Sequence, residues 1–316
     1  MTFEVRFAVI CLATFALTAA VATVPVRWWW RRIAIPDPAA RAAAILRLRL
    51  GSLALAIAAT IIAAASFIFF EQREHPESTG VMLPVMAAVT LVIWTVATIR
   101  AIGMSLATRR VLRGWMATAE PITLPGIDVP SYAVTSSFPV VAVIGILRPR
   151  LIVARSVLAA CTPGQLLAIA AHERRHLRAH DNLSRTMLGV SPDLIAWLPL
   201  AARLREAWHD ATEEAADDAA DEAGEDGRLE LAEALIRVAR IGSIGGPQAA
   251  LPASALYRGE NIERRVRRLL EPPPVAVAAA RPGWQRPATI AAGTAVSALV
   301  LEGAHVVIEL AVTFLP

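Results

Sequence analysis

The sequence predicts a mainly α membrane protein: three transmembrane helices, then a cytoplasmic α+β domain, then a fourth transmembrane helix. Hydrophobic residues make up 56% of the chain and gather in blocks rather than at amphipathic spacing, the composition of a bilayer protein rather than a soluble enzyme. Four blocks, residues 7–24, 51–70, 81–103 and 289–314, are each long enough to cross about 30 Å of hydrocarbon as a helix. Arginines stand beside these blocks, and a long polar stretch falls between the third and the fourth. The resulting division is 1–108 for the three-helix region, 109–286 for the polar domain and 287–316 for the last span.

The first block leads into Arg27, then Trp28, Trp29 and Trp30, then Arg31 and Arg32. That order reads as an aromatic interfacial belt with a basic cytoplasmic anchor. A signal peptide is the competing reading, with Ala20-Val21-Ala22 as its cleavage site, but cleavage would leave those arginines outside. The loop 28–50 adds Arg41, Arg47 and Arg49, whereas 71–80 is acidic on balance. The first loop is therefore expected inside and the second outside, which places the N-terminus outside a cell (inner) membrane crossed several times. Arg100, Arg109, Arg110 and Arg113 at the exit of the third block agree with this sense. So do Arg264, Arg265, Arg267, Arg268, Arg281 and Arg286 before the fourth, and the C-terminus is expected outside.

Composition also excludes functions. The net charge of +4 is modest and no basic patch is interleaved with aromatic residues, so direct nucleic-acid binding is not expected. Cys11 and Cys161 stand far apart and offer neither a disulfide framework nor a cysteine metal knuckle. Any metal must be held by histidine and carboxylate. The absence of lysine reflects base composition more than physical need.

Within the polar domain, 121–153 is rich in Val, Ile, Pro and Gly, and its apolar runs 140–146 and 151–153 are parted by Arg148-Pro149-Arg150. Short strands forming a small sheet are expected there. A helix begins at Thr162, with Pro163 in the first turn and Gln165 placed for a capping box. Residues 185–207 are apolar but broken by Ser191-Pro192-Asp193 and by Pro199, which predicts two short helices at the membrane surface. Residues 206–236 should be largely helical, 242–251 a loop, and 271–274 a stiff proline linker.

The helix that starts at Thr162 carries His172-Glu173-Arg174-Arg175-His176. Residues four apart on a helix differ by about 40° around its axis, so both imidazoles can reach one ion. Glu173 points about a quarter turn away, where a carboxylate can act as general base. A catalytic zinc needs three protein ligands and an open position. Thr212-Glu213-Glu214-Ala215-Ala216-Asp217-Asp218 offers the third: Glu213 as ligand, with Asp217 one turn on accepting a ring N–H from His172 or His176. Glu214 with Asp218 repeats that spacing one residue on. His209, one turn before Glu213, is a further possibility as ligand or as a donor to the transition-state oxyanion. Asp210, Asp218, Asp221 and Glu222 read as a solvated acidic face. His180 lies too far along the axis, and with Ala179 and Asn182 the extended three-histidine pattern is absent, so a glutamate-ligated zincin remains. Arg174, Arg175, Arg178 and Asp181 would each cost roughly 2.5–3.5 kcal/mol in lipid, which places the site beside the membrane.

These features resemble the BlaR/MecR family of membrane metallopeptidases. The likeness rests on three spans and on Gly145-Ile146-Leu147-Arg148-Pro149-Arg150-Leu151-Ile152-Val153, which is similar to that family's Gly-x-x-x-Pro-x-Ile strand. It continues in His172-Glu173-Arg174-Arg175-His176 followed by Asp181-Asn182, in Glu213 to Asp217 with Ala216 where the family has cysteine, and in Asn261-Ile262-Glu263-Arg264-Arg265-Val266. The resemblance implies Glu213 rather than Glu214 as third ligand, Zn2+ as cofactor, and a cytoplasmic α+β zincin-like metallopeptidase domain. It also implies cleavage of a cytosolic regulator in signal transduction, often a winged-helix repressor of the BlaI type. The chain departs from the family in ending soon after the fourth block, so a penicillin-binding sensor is not expected.

Two other functions stay open. A quality-control protease of the HtpX type shares the two-histidine motif, a downstream Glu-x-x-Ala-Asp and several spans; a signalling scaffold without catalysis would not need the intact motif. Glu302, His305 and Glu309 share one face of the fourth block and allow either a proton-coupled or regulatory role or a short, tilted, peripheral span.

Overall fold

The computed structural model describes residues 2–70, 80–136, 138–244 and 262–271. Among the described residues the chain is mainly helical, and three helices are long and apolar enough to cross a membrane: α1 (Phe3–Trp29), α2 (Pro38–Phe70) and α3 (Met82–Met116). The predicted fourth span, with Glu302, His305 and Glu309, and the proline linker lie outside the described residues. Helix α1 packs along both α2 and α3. Ala13, Ala16, Ala19 and Ala22 recur every third residue along it and are all buried, and small residues let helix backbones approach where water supplies no driving force. Phe15 meets the edge of Trp94 with ring centres 5.4 Å apart, and Thr90 donates to the Leu12 carbonyl at 2.7 Å.

Helix α2 starts at Pro38, so most of the stretch expected as a loop between Trp28 and Leu50 is helical. The local cause is legible in Asp37-Pro38: the Asp37 carboxylate accepts from the Ala40 N–H at 2.8 Å, and proline suits the first turn. At 33 residues the helix is about 50 Å long, well beyond the apolar layer of about 30 Å. Its projecting part packs on α7 (Pro199–Asp218). Arg41 pairs there with Glu214, and Arg49 pairs with Asp193 just ahead of α7, both partners buried. Replacing Arg49 by Met strands a buried carboxylate, and we expect a loss of about 3–5 kcal/mol, read as a lower midpoint in thermal unfolding in detergent. Helix α3 likewise runs past Gly103 to Met116.

The polar region holds the expected small sheet, with more strands than the apolar runs alone marked. Strands β1 (Glu120–Ile122), β2 (Ser131–Val134), β3 (Val141–Ile144) and β4 (Arg150–Ala154) lie in the order β1-β2-β4-β3. Only β2 and β4 pair in parallel. Gly145 turns β3 into β4 at φ 104°, where a Cβ would sit 2.7 Å from the Arg148 carbonyl, so a side chain there is excluded by both sterics and conformation. The buried residues of β3 and β4 pack with Ala168 and Ile169 of α5 (Pro163–Ala179) and with Leu231, Leu235 and Val238 of α8 (Gly227–Ile244).

A six-residue α4 (Arg155–Ala160) joins β4 to α5. After α5 come α6 (Asp181–Val190), a 3₁₀ turn over Leu194–Trp197, α7, a second 3₁₀ turn over Ala219–Ala223, α8, and α9 (Ile262–Leu270). The break at Ser191-Pro192-Asp193 is where it was expected. The helix after Pro199 is long rather than short, and it carries the acidic run within it. The stretch 206–236 is largely helical as expected, in two parts, α7 and α8, joined by the second 3₁₀ turn and by Gly224 at φ 121°.

Candidate metal centre

The capping box predicted for α5 is formed: Thr162 Oγ1 accepts from Gln165 N–H, and Gln165 Oε1 accepts from Thr162 N–H. It fixes the phase of a helix whose inner face presents His172, Glu173 and His176, all buried. Helix α7 crosses beside it with Glu213 and Asp217 facing inward. One ligand atom each from His172, His176 and Glu213 lies within 4.8 Å of the others.

The two ring Nε2 atoms face one another at 3.2 Å, and the Glu213 oxygens stand 3.7 Å from His172 Nε2 and 3.6 Å from His176 Nε2. Two nitrogens each about 2.05 Å from a tetrahedral zinc are separated by about 3.3 Å, so the spacing fits one shared ion. Neither Glu213 oxygen accepts a well-directed hydrogen bond, and Glu173 Oε1 has none either. Such a buried donor set could hold a metal ion.

The other ring nitrogens are oriented by carboxylates. His172 Nδ1 lies 3.2 Å from Asp217 Oδ1, and His176 Nδ1 lies 2.7 Å from Asp181 Oδ2. Asp217 thus serves His172, while His176 uses a residue whose part the sequence did not reveal. In the sequence Asp181 counted only as a charge that keeps the motif out of lipid, and the structure buries it. The cause is His180, which caps α5 in the left-handed conformation at φ 55° and brings the first residue of α6 back beneath His176. His180 itself stays out of the ligand group. With Asp181→Ala, zinc affinity should fall about 10–100-fold, measured by competition with a chromogenic chelator.

Arg265 of α9 is the second participant missed. It forms two hydrogen bonds to Asp217, at 2.9 and 2.6 Å, and reaches Glu213 Oε2 at 3.0 Å. In the sequence it is one of four arginines clustered in 264–268, and nothing local separates it from its neighbours. The register left open on α7 is resolved by the same helix. Glu214 faces Arg41 and Arg264, and Asp218 faces Arg228 and Arg268, both away from the histidines. The acidic face expected to be solvated is therefore partly an ion-pair seam. Asp210 pairs with Arg264 at 3.0 Å, and Glu222 with Arg174 and Arg178 at 2.8 and 3.1 Å. His209 lies beside the ligands with Nδ1 3.6 Å from Glu213 Oε1, outside the group of three.

Burial pushes the Glu173 carboxyl up to about 8, with the Glu213 carboxylate adding to it and the Val143 N–H opposing it. Burial likewise raises Glu213 against the pull of Arg265, and it lowers both histidines against Asp217 and Asp181. Neutral imidazoles are the form that ligates metal. Burial would raise Asp217 too, but the Arg265 guanidinium and the His172 ring hold it well below the usual carboxylate range. No protein-family model matches the chain, and no curated protein matches it.

Proposed function

We propose that this protein is a membrane-bound zinc endopeptidase that cuts a cytosolic regulatory protein. The observation that carries the reading is the convergence of His172, His176 and Glu213 at donor spacings that suit one tetrahedral ion, with the buried carboxyl of Glu173 beside them on the same helix as the histidines. Zinc held by those three groups supplies Lewis-acid polarisation of a carbonyl and acidifies water. Glu173 takes a proton from the attacking water, keeps it because its burial disfavours the anion, and delivers it to the leaving amine. Asp217 and Asp181 hold the two imidazoles in the tautomer that directs Nε2 inward. His209 donates to the oxyanion that develops as the peptide carbonyl is attacked.

The apolar helices tether the domain to a bilayer, and the arginines around the end of α1 and within the last turns of α3 favour the cytoplasmic side for it. The resemblance to BlaR/MecR peptidases makes a winged-helix repressor of the BlaI type the preferred substrate. Purified zinc-loaded protein should cut such a repressor at one site, with cutting lost on chelation and restored by zinc. Degradation of misfolded membrane proteins with the repressor left whole would move the function to quality control. Absence of cutting in both would remove the peptidase reading.

A further inference from the structure

Where α1 ends, the chain builds a cavity unrelated to the histidines. Its wall is strongly basic: Arg27, Arg31, Arg32 and Arg203 line it, and no carboxylate does. None of these four guanidiniums forms an ion pair with a carboxylate among the described residues. Two are held by aromatic faces instead, Arg31 over the Trp30 ring at 5.9 Å and Arg32 over Trp28 at 5.6 Å. Cation–π contact of this kind positions a guanidinium without neutralising it. The floor is the start of α7, and its N-cap Leu198 supplies no side-chain acceptor. The positive end of that helix therefore also faces the cavity.

The surroundings specify how an anion would be presented. Trp28 and Trp29 are exposed at the end of an apolar helix, and Val21 and Val24 are exposed just before them. A ligand seated among the arginines thus has an apolar surface continuing along α1 within reach of an acyl chain, and tryptophans mark the level of lipid headgroups. We propose that this cavity binds the phosphate of an anionic phospholipid headgroup. The arginines provide forked donors suited to phosphate oxygens, and α1 provides the path for the chains. The proposal does not depend on the peptidase reading.

The test uses the full chain in a neutral detergent, titrated with short-chain phosphatidylglycerol, short-chain phosphatidylcholine or inorganic phosphate and followed by tryptophan emission, since Trp28 and Trp30 line the cavity. Phosphatidylglycerol is expected to bind more tightly than the other two. Each of Arg31→Gln, Arg32→Gln and Arg203→Gln should weaken it about fivefold, while a control pair, Arg109→Gln with Arg110→Gln, leaves it unchanged. Arg203→Gln changes an exposed side chain that belongs to α7 rather than to the span and so separates binding from damage to the span. Equal affinity for the two lipids, or an equal loss in the control pair, would overturn the site. Inorganic phosphate binding as tightly as phosphatidylglycerol would overturn the lipid as its ligand.

Discussion

Glu173→Gln is expected to lower the rate of substrate cleavage by about 10²–10⁴-fold, the usual contribution of a positioned general base, while leaving one equivalent of zinc bound. Glutamine keeps the size of the side chain and can still meet the Val143 backbone, but it cannot accept a proton. The replacement also removes a carboxyl whose burial and proximity to Glu213 disfavour the anion, so the fold should be no less stable for it. Cleavage rate and metal content therefore part company in this variant. Equal cutting by the wild type and Glu173→Gln, at equal zinc content, would show that another group moves the proton and that the chemistry assigned to this carboxyl is wrong.

Asp217→Ala is expected to lower both stability and metal affinity. Asp217 is fully buried between His172 and Arg265, and its removal leaves a buried guanidinium facing only Glu213. Breaking a buried pair on one side costs about 3–5 kcal/mol, because the surviving charge has lost its compensation rather than because the pair was worth that much. The His172 ring loses its orienting partner as well, so zinc affinity should fall by about 10–100-fold. The double variant Asp217→Leu with Arg265→Met separates the two roles. Apolar groups in place of both charges should recover most of the thermal stability without recovering the zinc affinity. A double variant that binds zinc like the wild type would mean that Asp217 acts only through packing.

The parts legible in the sequence are those governed by local rules. The capping box at Thr162 and Gln165, the break at Ser191-Pro192-Asp193 and the strand pair around Arg148-Pro149-Arg150 follow from residues that interact within one or two turns. Even the missed start of α2 had such a signal in Asp37-Pro38. Asp181 and Arg265 were not legible in this way. Asp181 reaches His176 only because His180 adopts a left-handed turn, uncommon for any residue but glycine, and Arg265 meets Asp217 from a position 48 residues away.

By itself, then, the sequence determined the apolar blocks, the helix that presents His172, Glu173 and His176 on one side, and a choice of carboxylates at suitable distance along the chain. Periodicity and capping act within a few residues, so they can be read from order alone. Which carboxylate faces the histidines was decided only by tertiary structure. Glu213 turns inward to the histidines and Arg265, and Glu214 outward to Arg41 of α2 and Arg264 of α9, because α7 is packed between these elements. One residue of phase on a helix is worth about 100°, and no local rule sets it when acids stand side by side; packing and the pairing of buried charges do.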